Sequence, residues 1–351
     1  MKRFFAVSFT LILISIACQA ALPKTPIANE TPIAIEPSSA LVLEAASTNT
    51  PRSTPIPITC SDDSCLNACL TRIDAALETH KFDSLGGGYT DKTANLNLVV
   101  YKVENDKLNE PDILYVPEEF RPFQENLQSH QLVWDYASAL LPPEFLKWIN
   151  EYIIFTDGAG RGSAAWVDTR DPLDRSHWQL GVDVADSENP VDLTYTLIHE
   201  FGHLISINSD QIPLTDYYYG WNQNPATCSQ IALPEGCSNP DSYINLFYQN
   251  FWVDIFDEWR ETVEKPHTNS ADEFEALVSD FYSKHQDQFV SEYAATNIYE
   301  DFAESFMLFG IEPKPTGKNI AGRKILFFYD FPELVSMRQQ MIQNVCSYTQ
   351  E

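Results

Sequence analysis

The chain has 351 residues, of which 44% are hydrophobic and 21% are charged, as in ordinary globular proteins. This composition excludes a collagen-like, coiled-coil or mostly disordered protein. The chain carries 50 acidic residues against 22 basic ones, a net charge of −28, which argues against nucleic-acid binding through a basic surface.

The first twenty residues have the pattern of a secretory signal peptide. A basic start, Lys2-Arg3, precedes an apolar run, Phe4–Ala17, that is shorter than the roughly 20 residues of a membrane-spanning helix. The run leads into Ser-Ile-Ala-Cys ending at Cys18, which resembles a bacterial lipobox. We therefore predict a signal peptide over residues 1–18 with a lipobox at Cys18, and a lipid on that cysteine, which becomes the first residue of the mature protein. Cleavage after Ala20 is the alternative.

The next segment, residues 19–58, contains seven prolines and no aromatic residue. Such a segment cannot form a hydrophobic core, and its prolines favour an extended chain. We expect a tether that holds a folded domain away from a membrane. The protein is then expected to be secreted and to be a bacterial lipoprotein anchored on the outer face of the cell membrane. A disordered N-terminus without lipid is the alternative.

The remaining residues, 59–351, are predicted to form one enlarged domain. The first 58 residues hold four basic and three acidic side chains, so the negative charge belongs to this domain. Its acidity is expected to disfavour acidic substrates, although a solvated surface explains the charge equally well.

Cysteine usage fits a compartment outside the cytosol. Without Cys18 six cysteines remain, an even number that predicts up to three disulfides. Cys228 and Cys237 bracket a loop with proline and glycine and are the best local pair. One of the three cysteines near the start of the domain is expected to pair with Cys346; these three are Cys60, Cys65 and Cys69.

The order of predicted elements indicates an α+β fold, with a small sheet followed by a mainly helical lobe. After a helix at 66–80, the predicted strands are 95–103, 151–156, 163–167 and 177–184, with helices at 118–141 and 144–150 between the first two strands. Later patterns are helical, at 190–207, 242–264, 271–285, 297–309 and 332–347.

The sequence His199-Glu200-Phe201-Gly202-His203 carries the clearest chemistry. Residues four apart share one face of a helix, so both imidazoles can bind one metal ion, with Glu200 beside it as a general base. A helix is expected here because Pro190 suits a first helical position and because Leu193, Leu197, Phe201 and Ile205 form an apolar stripe. Glycine costs about 1 kcal/mol inside a helix, so we expect close packing at Gly202.

A third metal ligand is available downstream. Glu300 and Glu304 share one helical face, so one could bind a metal while the other orients a ligand histidine. The alternative is that Glu300 only completes a capping box with Asn297 at the start of its helix.

Two motifs together resemble a known family. His-Glu-Phe-Gly-His and the later Tyr-x-x-Thr-Asn-x-x-Glu-x-Phe-Ala-Glu-x-Phe resemble the catalytic domain of the anthrax-toxin lethal-factor-like metallopeptidases. This gluzincin group includes Pro-Pro endopeptidases. The resemblance covers these motifs and the order of strands and helices before the first one.

The resemblance implies a zincin-like fold and a role for each matching residue. His199, His203 and Glu300 would bind Zn²⁺, and Glu200 would be the catalytic general base. Tyr293 would stabilise the oxyanion, and Glu304 would lie behind the ligands.

The segment between the two motifs is longer than is usual in this family, which predicts an insertion at about 208–290. It contains the Cys228–Cys237 loop and two aromatic-rich stretches, Tyr217–Trp221 and Tyr243–Trp259. We expect these aromatic residues to form a core for the inserted helices, with a substrate cleft as the alternative.

The preferred interpretation is a secreted or surface-anchored zinc endopeptidase that acts on a peptide or protein substrate. The strand 177–184 is the candidate edge strand for an extended peptide. The alternative is a non-catalytic extracellular binding or adhesion module on a zincin fold.

Overall fold

The structure is a computed structural model that describes most of the chain from residue 96 onward; the described residues are 96–156, 164–171, 174–183, 186–187, 190–213, 228–266, 268 and 270–348. The predicted signal peptide, tether, first helix and early cysteines lie outside this part of the chain, as does the aromatic stretch at 217–221. No helix within the described ranges is both long and apolar enough to span a membrane.

The described elements are eight strands and ten α-helices. The strands are β1 (Leu96–Glu104), β2 (Lys107–Leu108), β3 (Asp112–Ile113), β4 (Ile149–Thr156), β5 (Ala165–Asp171), β6 (Asp174–Asp183), β7 (Ala232–Leu233) and β8 (Gly236–Cys237). The helices are α1 (Arg121–Gln124), α2 (Leu127–Leu140), α3 (Pro143–Leu146), α4 (Pro190–Ile207), α5 (Tyr243–Phe247), α6 (Phe256–Trp259), α7 (Ala271–Lys284), α8 (Ile298–Ile311), α9 (Ile320–Phe327) and α10 (Pro332–Tyr348).

Short helical turns of other kinds complete the lobe. Two π-helical segments, Tyr248–Trp252 and Arg260–Glu264, continue α5 and α6. The 3₁₀ turns are Glu118–Phe120, Gln286–Gln288, Tyr293–Ala295 and Phe328–Asp330. The predicted α+β order, a small sheet and then a helical lobe, is confirmed.

The main sheet has six strands in the order β2-β1-β4-β6-β5, with β3 also paired to β1. All pairs are antiparallel except β4 and β6, which are parallel. Within the described residues β5 pairs only with β6 and forms an edge of the sheet. The prediction that strand 177–184 lies at the edge is therefore wrong, because β6 is covered by β4 on one side and β5 on the other.

Helix α4 begins at Pro190, as predicted, and is buried between the sheet and α8. Its predicted apolar stripe is at most 2% exposed, and Ile198 on another side is also buried. The close packing expected at Gly202 is confirmed, since a β-carbon there would lie 2.8 Å from the Cα atom of Ala303 in α8. The two helices therefore touch backbone to backbone at this point.

The inserted helices pack around an aromatic core, as predicted for Tyr243–Trp259. Phe247, Trp252, Phe256 and Trp259 are almost completely buried. Phe247 also contacts Phe302 of α8, with ring centroids 5.3 Å apart. These aromatic side chains therefore join the insertion to the helix that carries Glu300.

Candidate metal centre

Helix α4 places both motif histidines on the face that is turned toward α8. The ring centroids of His199 and His203 are 4.9 Å apart, and their Nε2 atoms are 3.1 Å apart. This is the arrangement that two histidines one helical turn apart can reach when both rings point at one position.

The carboxylate of Glu300, in the first turn of α8, lies at the same position. Its Oε2 atom is 3.2 Å from Nε2 of His199 and 3.3 Å from Nε2 of His203. The side chains of all three residues are less than 10% exposed. The structure thus brings together two imidazole nitrogens and one carboxylate oxygen out of solvent.

Glu200 lies beside this cluster and is held by the edge of the sheet. Its Oε2 atom accepts a hydrogen bond of 2.9 Å from the backbone N–H of Val167 in β5. Burial raises the pKa of the Glu200 carboxyl; the two histidines oppose this effect, and the charge of Glu300 adds to it. A carboxyl group with a raised pKa is suited to proton transfer near neutral pH.

His199, Glu200 and His203 form a group that could hold a metal ion. Either Glu200 or Glu300 could supply the carboxylate ligand. Potential ligand atoms of His199, Glu200 and His203 lie within 4.8 Å of one another, and all three residues are buried. Oε2 of Glu300 also lies 3.2 and 3.3 Å from the two histidine Nε2 atoms, whereas one oxygen of Glu200 accepts a hydrogen bond from Val167. Both carboxylates are therefore candidates for the third ligand.

Glu304 orients His199 from the opposite side of the ring. Its Oε1 atom is 2.9 Å from Nδ1 of His199. Because a carboxylate can only accept, Nδ1 carries the proton, which leaves Nε2 of a neutral His199 with a lone pair for a metal ion. A carboxylate behind a histidine is a common arrangement at metal sites.

The charges around the cluster favour a cation. Two imidazoles are surrounded by three carboxylates, Glu200, Glu300 and Glu304. Burial lowers the pKa of His199, but its hydrogen bonds to Glu300 and Glu304 outweigh burial and raise the pKa to about 10. Burial raises the pKa of Glu300, but its interactions with both histidines outweigh burial and hold the pKa well below its ordinary value. The three carboxylates stabilise a positive charge between them, whether a proton on His199 or a bound metal ion. The residues therefore fit a divalent cation.

Tyr293 reaches the same cluster from the 3₁₀ turn before α8. Its ring centroid is 5.8 Å from that of His199, and 45% of the residue is exposed. Burial around the hydroxyl and the charges of Glu300 and Glu200 raise its pKa well above 10. The hydroxyl therefore remains protonated and donates a hydrogen bond to Glu300.

Asn297 caps α8 without the help of Glu300. Its side-chain oxygen accepts hydrogen bonds from the backbone N–H groups of Tyr299 and Glu300. The carboxylate of Glu300 is turned toward the histidines instead, so the cap and the cluster coexist. The alternative in which Glu300 serves only the helix start does not account for this orientation.

Sequence reasoning missed Ser291, which connects Tyr293 with Glu304. Its hydroxyl donates to Oε2 of Glu304 at 2.6 Å and accepts from the backbone N–H of Ala294 at 3.0 Å. The available signal was a serine just before a turn, a position where serine caps backbone N–H groups.

The structure thus brings all six predicted site residues together; these are His199, Glu200, His203, Tyr293, Glu300 and Glu304. No protein-family model, curated protein or solved structure matches the chain. The site itself is therefore the basis for a functional assignment.

Proposed function

We propose that this protein is a zinc-dependent endopeptidase with a zincin-like fold of the gluzincin kind. The observation that carries the proposal is the convergence of both Nε2 atoms and Glu300 Oε2 within 3.3 Å. A second carboxylate, that of Glu200, lies beside them on a buried helix. Two imidazoles and one carboxylate are a donor set used by catalytic zinc sites, which keep a position open for water.

His199, His203 and Glu300 would hold the ion, and Glu304 would keep His199 oriented. When bound, the ion supplies a Lewis acid that makes water nucleophilic near neutral pH. Glu200 takes the proton from the attacking water and passes it to the amine nitrogen as the peptide C–N bond breaks. Its hydrogen bond with Val167 keeps its carboxylate in place. Tyr293 donates a hydrogen bond to the oxyanion that develops on the peptide carbonyl.

Strand β5 is the candidate binding edge for an extended peptide substrate. Val167 and Leu180 of β6 are register partners, yet the N–H of Val167 is directed at Glu200. The backbone at Val167 therefore faces away from β6 and toward the cluster. A peptide added along this edge would pass the metal ligands, and backbone pairing would hold it. The net charge of −28 favours neutral or basic peptides.

The sequence supports a location outside the cytosol, with a lipid at Cys18 as the proposed membrane anchor. The confirmed disulfide between Cys228 and Cys237 agrees with this proposal, because disulfides persist in oxidising compartments. Fractionation of cells expressing the wild type and Cys18→Ala checks the anchor, since loss of the lipid should move the protein from membranes to the medium.

Two substitutions in the motif test the enzyme. Wild type should contain one zinc per chain and cleave a peptide library in a chelator-sensitive way. Glu200→Gln should keep the zinc and lose about 10²–10⁴-fold in activity, as expected when a general base is removed. His203→Ala should lose both zinc and activity. Zinc content by mass spectrometry and library cleavage are the two measurements.

Glu292→Gln is the matched control, since it removes one exposed negative charge next to Tyr293 and should change neither readout. A Glu200→Gln protein that cleaves at the wild-type rate would contradict the proposal. One zinc per chain without cleavage of any peptide would favour the binding module instead.

A further inference from the structure

A disulfide-closed hairpin inside the insertion lies in the protein core. Strands β7 and β8 pair with each other, and the Cys228–Cys237 disulfide closes the segment. Ile231, Ala232 and Leu233 are completely buried. The hairpin is thus part of the packed interior.

The turn of this hairpin carries a buried carboxylate. Glu235 is 6% exposed, and the next residue, Gly236, has a φ of 150°, a conformation that side chains disfavour. Oε2 of Glu235 accepts a hydrogen bond from the hydroxyl of Tyr299, which is 1% exposed. Tyr299 directly precedes Glu300 in the first turn of α8.

Arg175 fixes the hairpin to the sheet. From its buried position in β6, its guanidinium donates to the backbone carbonyls of Glu235 at 3.1 Å and Ile212 at 2.7 Å. The side chain of Arg175 therefore links the sheet to both the segment after α4 and the hairpin turn. The backbone carbonyl of Glu235 is thus bound by Arg175, while its side-chain carboxylate is bound by Tyr299 of α8.

We propose that Glu235 is a positioning residue for the metal centre and that the hairpin exists to place it. Successive side chains of a helix are about 100° apart, so a fixed Tyr299 sets the rotation of the first turn and the direction of Glu300. Metal ligands need distances correct to about 0.2 Å, so this rotation matters. The inference rests on the proposed role of Glu300 as a ligand.

Zinc affinity of the full-length protein tests this role without any substrate. The dissociation constant is measured by competition with a chromophoric chelator, alongside the thermal midpoint of the metal-free protein. Tyr299→Phe should weaken zinc binding about tenfold, the lower end of the range for residues behind metal ligands. Tyr243→Phe is the matched control, because it removes another tyrosine–glutamate hydrogen bond of the insertion, to Glu333, and should change affinity less than twofold.

A pair of substitutions at Glu235 separates positioning from packing. Glu235→Gln keeps an oxygen that can accept from Tyr299 and should retain zinc affinity. Glu235→Leu fills similar space without an acceptor and should match Tyr299→Phe. The double variant Cys228→Ser/Cys237→Ser should also bind zinc more weakly, and it avoids a reductant that would act on other cysteines.

The outcomes distinguish this inference from the proposed function. Wild type without zinc, or His203→Ala with unchanged zinc affinity, would overturn the metal centre itself. A zinc-binding wild type with unchanged affinity in Tyr299→Phe would overturn only the role of Glu235. If Glu235→Leu does not fold, the comparison of Tyr299→Phe with Tyr243→Phe still decides.

Discussion

Individual side chains of the candidate metal centre, such as His199 and Ser291, each contact two other groups. A substitution at one of them is therefore expected to affect both of its partners. His199 contacts Glu300 through one ring nitrogen and Glu304 through the other. Ser291 connects Glu304 with the turn that carries Tyr293. A substitution at one of these residues is therefore expected to shift groups with which it has no direct contact.

Ser291 provides a prediction at this scale. Ser291→Ala should lower kcat/KM about tenfold, because both Glu304 and the turn of Tyr293 lose a hydrogen bond. Ser291→Thr keeps the hydroxyl and should recover most of the activity. Steady-state kinetics on one peptide at saturating zinc measures both variants. Equal activity of Ser291→Ala and wild type would show that the hydroxyl has no positioning role.

At the scale of elements, the contact between α4 and α8 sets the geometry of the site. Gly202→Ala would place a β-carbon 2.8 Å from backbone of Ala303, which cannot move aside as a flexible side chain can. The helices would have to separate, at a cost of about 1–3 kcal/mol typical of overpacked cores. We expect a lower free energy of unfolding in urea, despite the roughly 1 kcal/mol by which alanine favours a helix.

Ala276→Gly in the exposed face of α7 is the control, since it measures the intrinsic difference between alanine and glycine in this protein. A Gly202→Ala protein more stable than wild type by that difference would contradict the close contact.

The sequence predicted those elements whose signals are local. Helix α4 was predicted with the correct bounds, because Pro190 and the apolar stripe both lie within it. The prediction of a helix at 144–150 was wrong in its second half, because Ile149 pairs with Trp178 and begins β4. Helix α9 and the β7–β8 hairpin were missed; the hairpin strands have two residues each and depend on distant partners.

Site residues, too, were predicted where their signal is local and missed where it depends on distant parts of the chain. The pair His199 and His203 was predicted from helical spacing. A second helical pattern left both Glu300 and Glu304 open as ligands, and the family resemblance selected Glu300. The contact of Glu200 with β5 could not be predicted, because it needs the strand order, and that order also overturned the predicted edge strand. Glu235 lies 64 residues from Tyr299 in sequence, and no spacing rule connects them.

For the whole molecule, one buried histidine makes stability depend on pH. Nδ1 of His130 accepts from the hydroxyl of Tyr101 at 2.8 Å, and its Nε2 donates to the carbonyl of Phe123 at 2.8 Å. Burial lowers the pKa of His130 to about 4, against a smaller opposing effect of the bond with Phe123. The neutral ring is thus the folded form, and it joins α2 to the sheet.

The sign of the effect follows from proton binding. Between pH 6.5 and about 4 the unfolded chain binds a proton at His130 that the folded protein does not. The contribution of His130 to stability should therefore fall as the pH falls through this window, by up to about 3 kcal/mol. Urea unfolding of wild type and His130→Gln from pH 7 to pH 4 measures it as the difference between the two, which removes the opposite effect of buried carboxyls such as Asp301, whose pKa is raised to about 6. His130→Gln should be less stable at pH 7 but show a flatter pH dependence, whereas the exposed His177→Gln should follow wild type.

The candidate metal centre joins parts of the chain that are far apart, since His199 and Glu300 are 101 residues apart in sequence. Closing a loop of this length is slow compared with forming either helix. Catalytic competence would therefore appear only late in folding, after the insertion has packed and brought α8 to α4. Under the proposed function and location, a chain still unfolded during export would have no hydrolytic activity, and the cell that makes it would be protected from the peptidase.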